Sequence, residues 1–256
     1  MPGPLHGVTI IELAAIGPTP LAGMVLADLG AEVIRVERPG AGDAPGHGIL
    51  NRSRTRLAVD LKDPDGVEVV RRLATSADGL VEGFRPGVLE RLGLAPDDLL
   101  QANPALVIGR MTGWGQDGPW ARAAGHDINY IAVTGALDAI GRRGGPPAVP
   151  LNLVGDFGGG AMFLVVGMLA GLLHARSTGQ GQVVDAAMVD GASALMAMFH
   201  DLHHDGLQRP GRGTNLLDSG AWFYDVYECS DGKWVAVGPI EPQFRADLVA
   251  RLGLDD

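Results

Sequence analysis

"GVTIIELAAIGPTPLAGMVLADLGAEVIRVERPG", residues 7–40, decides the fold class. "GVTIIELA" (7–14) is a run of β-formers with no polar alternation, which reads as a strand buried on both faces. "PTPLAGMVLADLGA" (18–31) carries apolar residues at helical spacing and stops at Gly30. "EVIRVERPG" (32–40) is a second strand with a turn. Strand, helix, strand opens a parallel α/β unit, because a parallel neighbour needs a crossover connection.

The alternation continues outward. "RLAVDL" (56–61), "DGLVEGF" (78–84), "LVIGRMTGWG" (106–115) and "VVDAAM" (183–188) read as strands. "DPDGVEVVRRLATS" (63–76), the short "PGVLERLG" (86–93) and "PDDLLQANP" (96–104), and "DGASALMAMFHDLHH" (190–204) read as helices. "AMFLVVGMLAGLL" (161–173) is apolar for 13 residues, short of the about 20 that span a bilayer, and reads as a buried helix. The fold class is therefore α/β: a large doubly wound, Rossmann-like domain over 1–204. Turn formers over 205–221 read as a linker. From 222 a smaller α+β domain begins, with "FYDVYEC" and "KWVAVGPI" flanking the hairpin signal "SDG" (230–232) and a helix over 242–254. One hairpin and one helix make a thin core, so the sequence reads as truncated within this second domain.

Of the 256 residues 46% are hydrophobic, enough for a sizeable core, and the net charge of −10 argues against nucleic acid as a partner. The single cysteine, Cys229, sits in a predicted strand as a structural thiol. One cysteine leaves no intrachain disulfide, which fits a cytoplasmic protein. The first strand-to-helix turn, "AAIGPTP", lacks G-x-G-x-x-G, and its prolines remove N–H donors that a dinucleotide pyrophosphate would need. No helix opens after "GAG" (40–42), and no G-x-S-x-G elbow occurs. His200, His203 and His204 have ligand-like spacing but read as a solvated helix end.

Four features hold candidate chemistry. Arg35, Arg38, Arg52, Arg54, Arg56 and Lys62 stand against only Glu37, Asp43 and Asp60, with Arg85 and Arg91 following, a surplus suited either to a phosphate-bearing ligand or to surface pairing. Asp156 precedes Gly158–Gly160 at the start of the apolar helix, as an N-cap or as an ionised base or nucleophile beside exposed N–H groups. His126 in "AGHDINY" (124–130) is a proton carrier or a loop cap. Glu241 lies at the edge of a predicted strand, in "GPIEPQF".

Taken together, the opening stretch and "NRSRTRLAVDLK", "VEGFRPGVLERLGL", "MTGWGQDGP", "AGHDINY", "LNLVGDFGGGAMF", "STGQGQVVDAAMVDG" and "YECSDGKWVAVGPIEPQF" resemble the family III CoA-transferases, in order and over nearly the whole chain. "GHDINY" and "GDFGGG" resemble the branch that inverts the α-carbon of 2-methylacyl-CoA thioesters. The resemblance implies a large α/β domain with a smaller one, two full-length chains interlocked as a homodimer, and an acyl-CoA thioester as substrate. It implies His126 and Asp156 as acid/base pair, with Glu241 orienting or polarising the histidine. CoA-binding positions would be Arg38, Val59, Asp60, Leu61, Lys62, Gly83, Phe84, Arg85, Arg91, Gly125, Asp127, Ile128, Asn129 and Tyr130.

Inversion by proton transfer needs a base on each face of the carbon and neither metal nor redox cofactor. The family's transferases instead use an aspartate at the position of Asp156 as nucleophile. A chain that binds CoA esters without turnover is the third expectation.

Overall fold

The computed structural model describes residues 2–42 and 48–254. Asp43 of the basic stretch and the terminal Asp255 and Asp256 lie outside them. The chain divides into two compact units, residues 1–131 with 152–195, and residues 132–151 with 196–256. The expected boundaries at 204 and 221 both fall inside the second unit.

The first unit is built on a six-stranded parallel sheet in the order β3-β2-β1-β4-β5-β6. Its strands are β1 (Thr9–Leu13), β2 (Glu32–Glu37), β3 (Arg54–Ala58), β4 (Gly79–Glu82), β5 (Val107–Thr112) and β6 (Gln182–Ala187). Central β4 and β5 are buried at every residue, which is why their sequences lack polar alternation. One face of the sheet is covered by α1 (Pro18–Asp28) and α7 (Phe163–Thr178), around Ile10, Leu26, Val81, Leu164 and Met168. The other carries α2 (Pro64–Ala74), α3 (Val88–Arg91) and α4 (Pro96–Ala102), around Ile11, Leu80, Leu89, Leu99 and Ile108. Such a core removes roughly 1.5–3 kcal/mol worth of exposure per large side chain.

Strand order reverses between β1 and β4, one leading to β2 and the other to β5. Loops leaving the carboxyl ends of these two strands diverge there and open a crevice. Ala14–Gly17 and Gly83–Pro86 are those loops.

The apolar helix is longer than its sequence run. A π-helical segment, Leu153–Met162, runs directly into α7, and the 26-residue span Leu153–Thr178 is long and apolar enough, by length and composition, to cross a bilayer. Only one face is buried: Leu164, Val165, Met168 and Leu172 pack inward, while Phe163, Val166 and Leu173 are exposed. The expected helix over 190–204 is two helices, α8 (Met188–Leu195) and α9 (Ala197–His204), broken at Met196, where the division between the units falls.

In the second unit, Arg212 donates to the carbonyls of Asp138, on α6 (Ala136–Ala139), and of Gly145, both at 2.8 Å, and pairs with the Asp138 carboxylate. Asn215 and Asp218 form a capping box around a short 3₁₀ turn. The stretch read as a linker is thus a stitched loop. The hairpin forms as expected from β7 (Asp225–Glu228) and β8 (Trp234–Val237), antiparallel, with Gly232 at φ +76° in its turn. Cys229 lies just beyond β7 and is exposed, so the expectation of a thiol inside a strand does not hold. Helix α10 (Pro242–Leu252) ends the described chain.

Candidate active site

Two cavities open at the crevice. The first, of about 260 Å³, is lined by Ile16–Thr19 after β1, Gly83–Pro86 after β4, Met111–Trp114 from β5 onward, and by Gly125, His126, Tyr130 and Asp156. The second, of about 380 Å³, is lined by Arg35–Arg38 from β2, Val59–Lys62 after β3, and Phe84, Val88 and Leu92. Phe84 lines both, so the two cavities share a wall.

His126 comes from the loop before α5 (Asp127–Val133). Its backbone N–H donates to Asn129 Oδ1 at 3.0 Å and the Asn129 N–H donates back to the His126 carbonyl at 2.8 Å, a reciprocal cap that frees the imidazole. Gly125 is required beside it. A Cβ there would lie 2.7 Å from the Tyr130 ring and 3.1 Å from the Trp114 ring. Trp114 stands edge-on to Tyr130 at 4.8 Å, and the pair forms the wall behind the histidine loop.

Asp156 sits in the first turn of the π-helical segment, half-buried. It is not the N-cap, which is Asn152. Asn152 instead donates from its amide to Asp156 Oδ2 at 3.3 Å. The backbone N–H of Asp156 donates to Asp127 Oδ2 at 2.7 Å. Burial lifts the Asp156 pKa above the ordinary carboxylate range. The Asn152 hydrogen bond opposes the rise, the Asp127 charge adds to it, and a charged His126 opposes it. Tyr130, which lines the same cavity, is raised by burial and by the negative charge of Asp156.

The glycines after Asp156 lie against α8. A Cβ on Gly159 would strike the backbone of Gly191 and Ala192 on α8, and one on Gly160 would strike Met188. Their task is close helix–helix approach.

The basic stretch separates into two groups. Arg35 and Arg54 both pair with Glu12, which is wholly buried in β1, the Arg54 bond being 2.9 Å; Arg52 pairs with Asp28 and Arg56 with Glu37. Arg38 and Lys62 line the second cavity. A third cleft brings together Lys62 and Arg91, and a fourth Arg85, Arg91 and Arg122. Asp127, Ile128 and Asn129 line neither the first nor the second cavity. Asp127 is buried with its Oδ1 unpartnered, Asn129 caps the His126 turn, and Ile128 is exposed. Glu241 lies in the second unit, past the end of β8, as the exposed N-cap residue of α10. Among the described residues no group of three His, Cys, Asp or Glu side chains is arranged to hold a metal ion.

Sequence reasoning missed Trp114, Asn152 and Arg122. Only Arg122 left a local trace, a cation four residues before His126 in "WARAAGH".

An open parallel sheet thus carries at its switch point one cavity lined by Arg38 and Lys62 and another lined by His126 and Asp156. The chain belongs to CoA-transferase family III, whose model matches residues 5–256. It is 48% identical over 251 residues to the alpha-methylacyl-CoA racemase of Mus musculus and 45% identical over 250 residues to that of Homo sapiens, covering 98% of this chain and 65% of each relative. The chain therefore spans about two-thirds of the length of these curated relatives. A crystal structure of a CAIB/BAIF family protein from Brucella suis superposes with a TM-score of 0.83 at 28% identity, over 99% of this chain and 71% of that one.

Proposed function

We propose that the protein racemises 2-methylacyl-CoA thioesters, with His126 and Asp156 as the two proton carriers. The observation that carries this reading is that both residues line one cavity, which shares Phe84 with a second cavity holding Arg38 and Lys62. The identity to two racemases points the same way.

In this reading the nucleotide end of the CoA ester occupies the Arg38 and Lys62 cavity, with Arg85 and Arg91 beside it. The acyl end lies between His126 and Asp156. One of the two takes the α-proton and the other returns a proton to the opposite face. A carboxylate with a raised pKa suits the role, because a proton is shared most readily between groups of similar affinity. Ionised Asp156 and charged His126 start one direction; neutral His126 and protonated Asp156 start the other. Glu241 is proposed as the group that orients His126 in the working assembly, a homodimer.

The test is incubation of 2-methylacyl-CoA with the protein in D₂O. Deuterium at the α-carbon with loss of stereochemical purity is expected. CoA exchange into a free carboxylic acid without α-deuteration would instead assign Asp156 as the nucleophile of a transferase.

A further inference from the structure

We propose that Glu82, Arg110 and Glu90 are positioning residues that hold the Phe84–Arg85 turn against helix α3, so that Arg85 and Arg91 converge on one phosphate-bearing ligand. This rests on the CoA-ester reading and names what prepares the cationic end of that site.

The chain of contacts begins in the sheet. Glu82, the last residue of β4, and Arg110 in β5 are register partners. Glu82 is wholly buried and Arg110 nearly so. One Glu82 oxygen accepts from Arg110 Nε at 2.9 Å and the other accepts the Phe84 backbone N–H at 2.6 Å. Arg110 then sends Nη1 to Glu90 Oε1 at 2.8 Å and Nη2 to Glu90 Oε2 at 3.3 Å. Glu90 sits on α3, next to Arg91.

Both ends of this relay therefore abut a cationic lining residue. Phe84 is followed by Arg85, and Glu90 by Arg91, and these two arginines line one cleft with Arg122. Like charges gathered in a cleft repel each other and splay unless their backbones are held. The relay holds both. A guanidinium with both faces of its fork engaged allows one arrangement, whereas an apolar pair at the same strand ends would fill the space without fixing direction. Gly83 completes the turn: a Cβ there would lie 2.5 Å from Thr19 Oγ1, so the loop lies flush on the start of α1.

The experiment is calorimetric titration of the 256-residue chain with CoA at about 50 mM and about 300 mM NaCl, where exposed charges are screened at the higher salt. Glu82→Gln and Glu90→Gln are compared with the parent protein. We expect the parent to bind more weakly at high salt. Glu82→Gln should bind about 10-fold and Glu90→Gln about 3-fold more weakly at low salt, from loss of charge-assisted bonds, with both gaps closing at high salt. An equal loss at both salts would mean a general structural role and would overturn the proposal, as would unchanged affinity in both variants. If Glu82→Gln fails to fold by circular dichroism, the exposed Glu90→Gln decides alone. A parent affinity indifferent to salt would sink the CoA-ester reading itself, a separate outcome.

Discussion

The Asp127 carboxylate accepts the backbone N–H of Asp156 at 2.7 Å, so the residue next to His126 in sequence grips the segment that carries Asp156. His126 and Asp156 are thereby linked through one buried side chain. Asp156 is faced by Asn152, Asp127, His126 and Tyr130, and a Cβ on Gly17 would sit 3.3 Å from it. Replacing Asp127 with Asn keeps the shape but removes a charge that raises the Asp156 pKa. Turnover should fall by about 10- to 100-fold, since an uncharged amide grips the Asp156 N–H less firmly and small displacements of reacting groups cost that much, with KM within about twofold. The acid limb of the kcat–pH profile should move to lower pH. An unmoved limb in a folded variant would show that Asp127 does not act on Asp156.

Asp156 itself trades stability for function. Its folded pKa is raised, above all by burial, so folding favours the protonated form. That contribution is fully present below the unfolded value of about 3.9 and is lost as pH rises through the folded pKa. Asp156→Asn should therefore melt higher than the parent at pH 7, by roughly 2–4 °C per kcal/mol regained in a chain of this size. The gap should shrink at pH 4. α-Deuteration should be abolished in the same variant. Melting curves at the two pH values and the D₂O assay test the pair of effects.

Glu12 differs in having two charged partners. It is buried, its pKa is raised by desolvation against the pull of Arg54 and Arg35, and it binds β1 to β2 and β3. Glu12→Ala leaves two guanidinium groups near the core without their carboxylate. A loss of about 3–5 kcal/mol in urea unfolding is expected. A change under 1 kcal/mol would mean that water reaches those arginines.

The contact of the π-helical segment with α8 sets where Asp156 stands. Gly191 lies against the backbone of Gly159, with no room for a Cβ. Gly191→Ala should cost about 1–3 kcal/mol by overpacking and should lower kcat more than it changes CoA affinity. Equal kcat in a folded Gly191→Ala variant would separate helix packing from catalysis.

Arg122 gives a simpler test of the cationic cleft. Arg122→Ala should weaken CoA binding by about 5- to 20-fold at low salt, in line with one charge-assisted contact, and leave the melting temperature within about 1 °C, as befits an exposed side chain. Calorimetry reads the first and melting the second.

The sequence by itself determined the α/β alternation, every strand of the parallel sheet, the hairpin of the second unit, and the family, because buried parallel strands and glycine-bounded turns leave local patterns. It also marked His126 and Asp156 as chemically capable. Only the tertiary structure decided what each charge does. Arg35, Arg38, Arg54 and Arg56 look alike in a row, yet Arg35 and Arg54 reach the buried Glu12 of β1, Arg56 pairs with Glu37, and Arg38 lines a cavity. The glycines after Asp156, read as a ligand cradle, lie against α8, and the Asp127 carboxylate accepts the Asp156 backbone N–H. The reason is physical: periodicity is written along the chain, whereas the partner of a charge or the neighbour of a missing Cβ is supplied by residues 19 to 42 positions away in sequence, which only folding brings near.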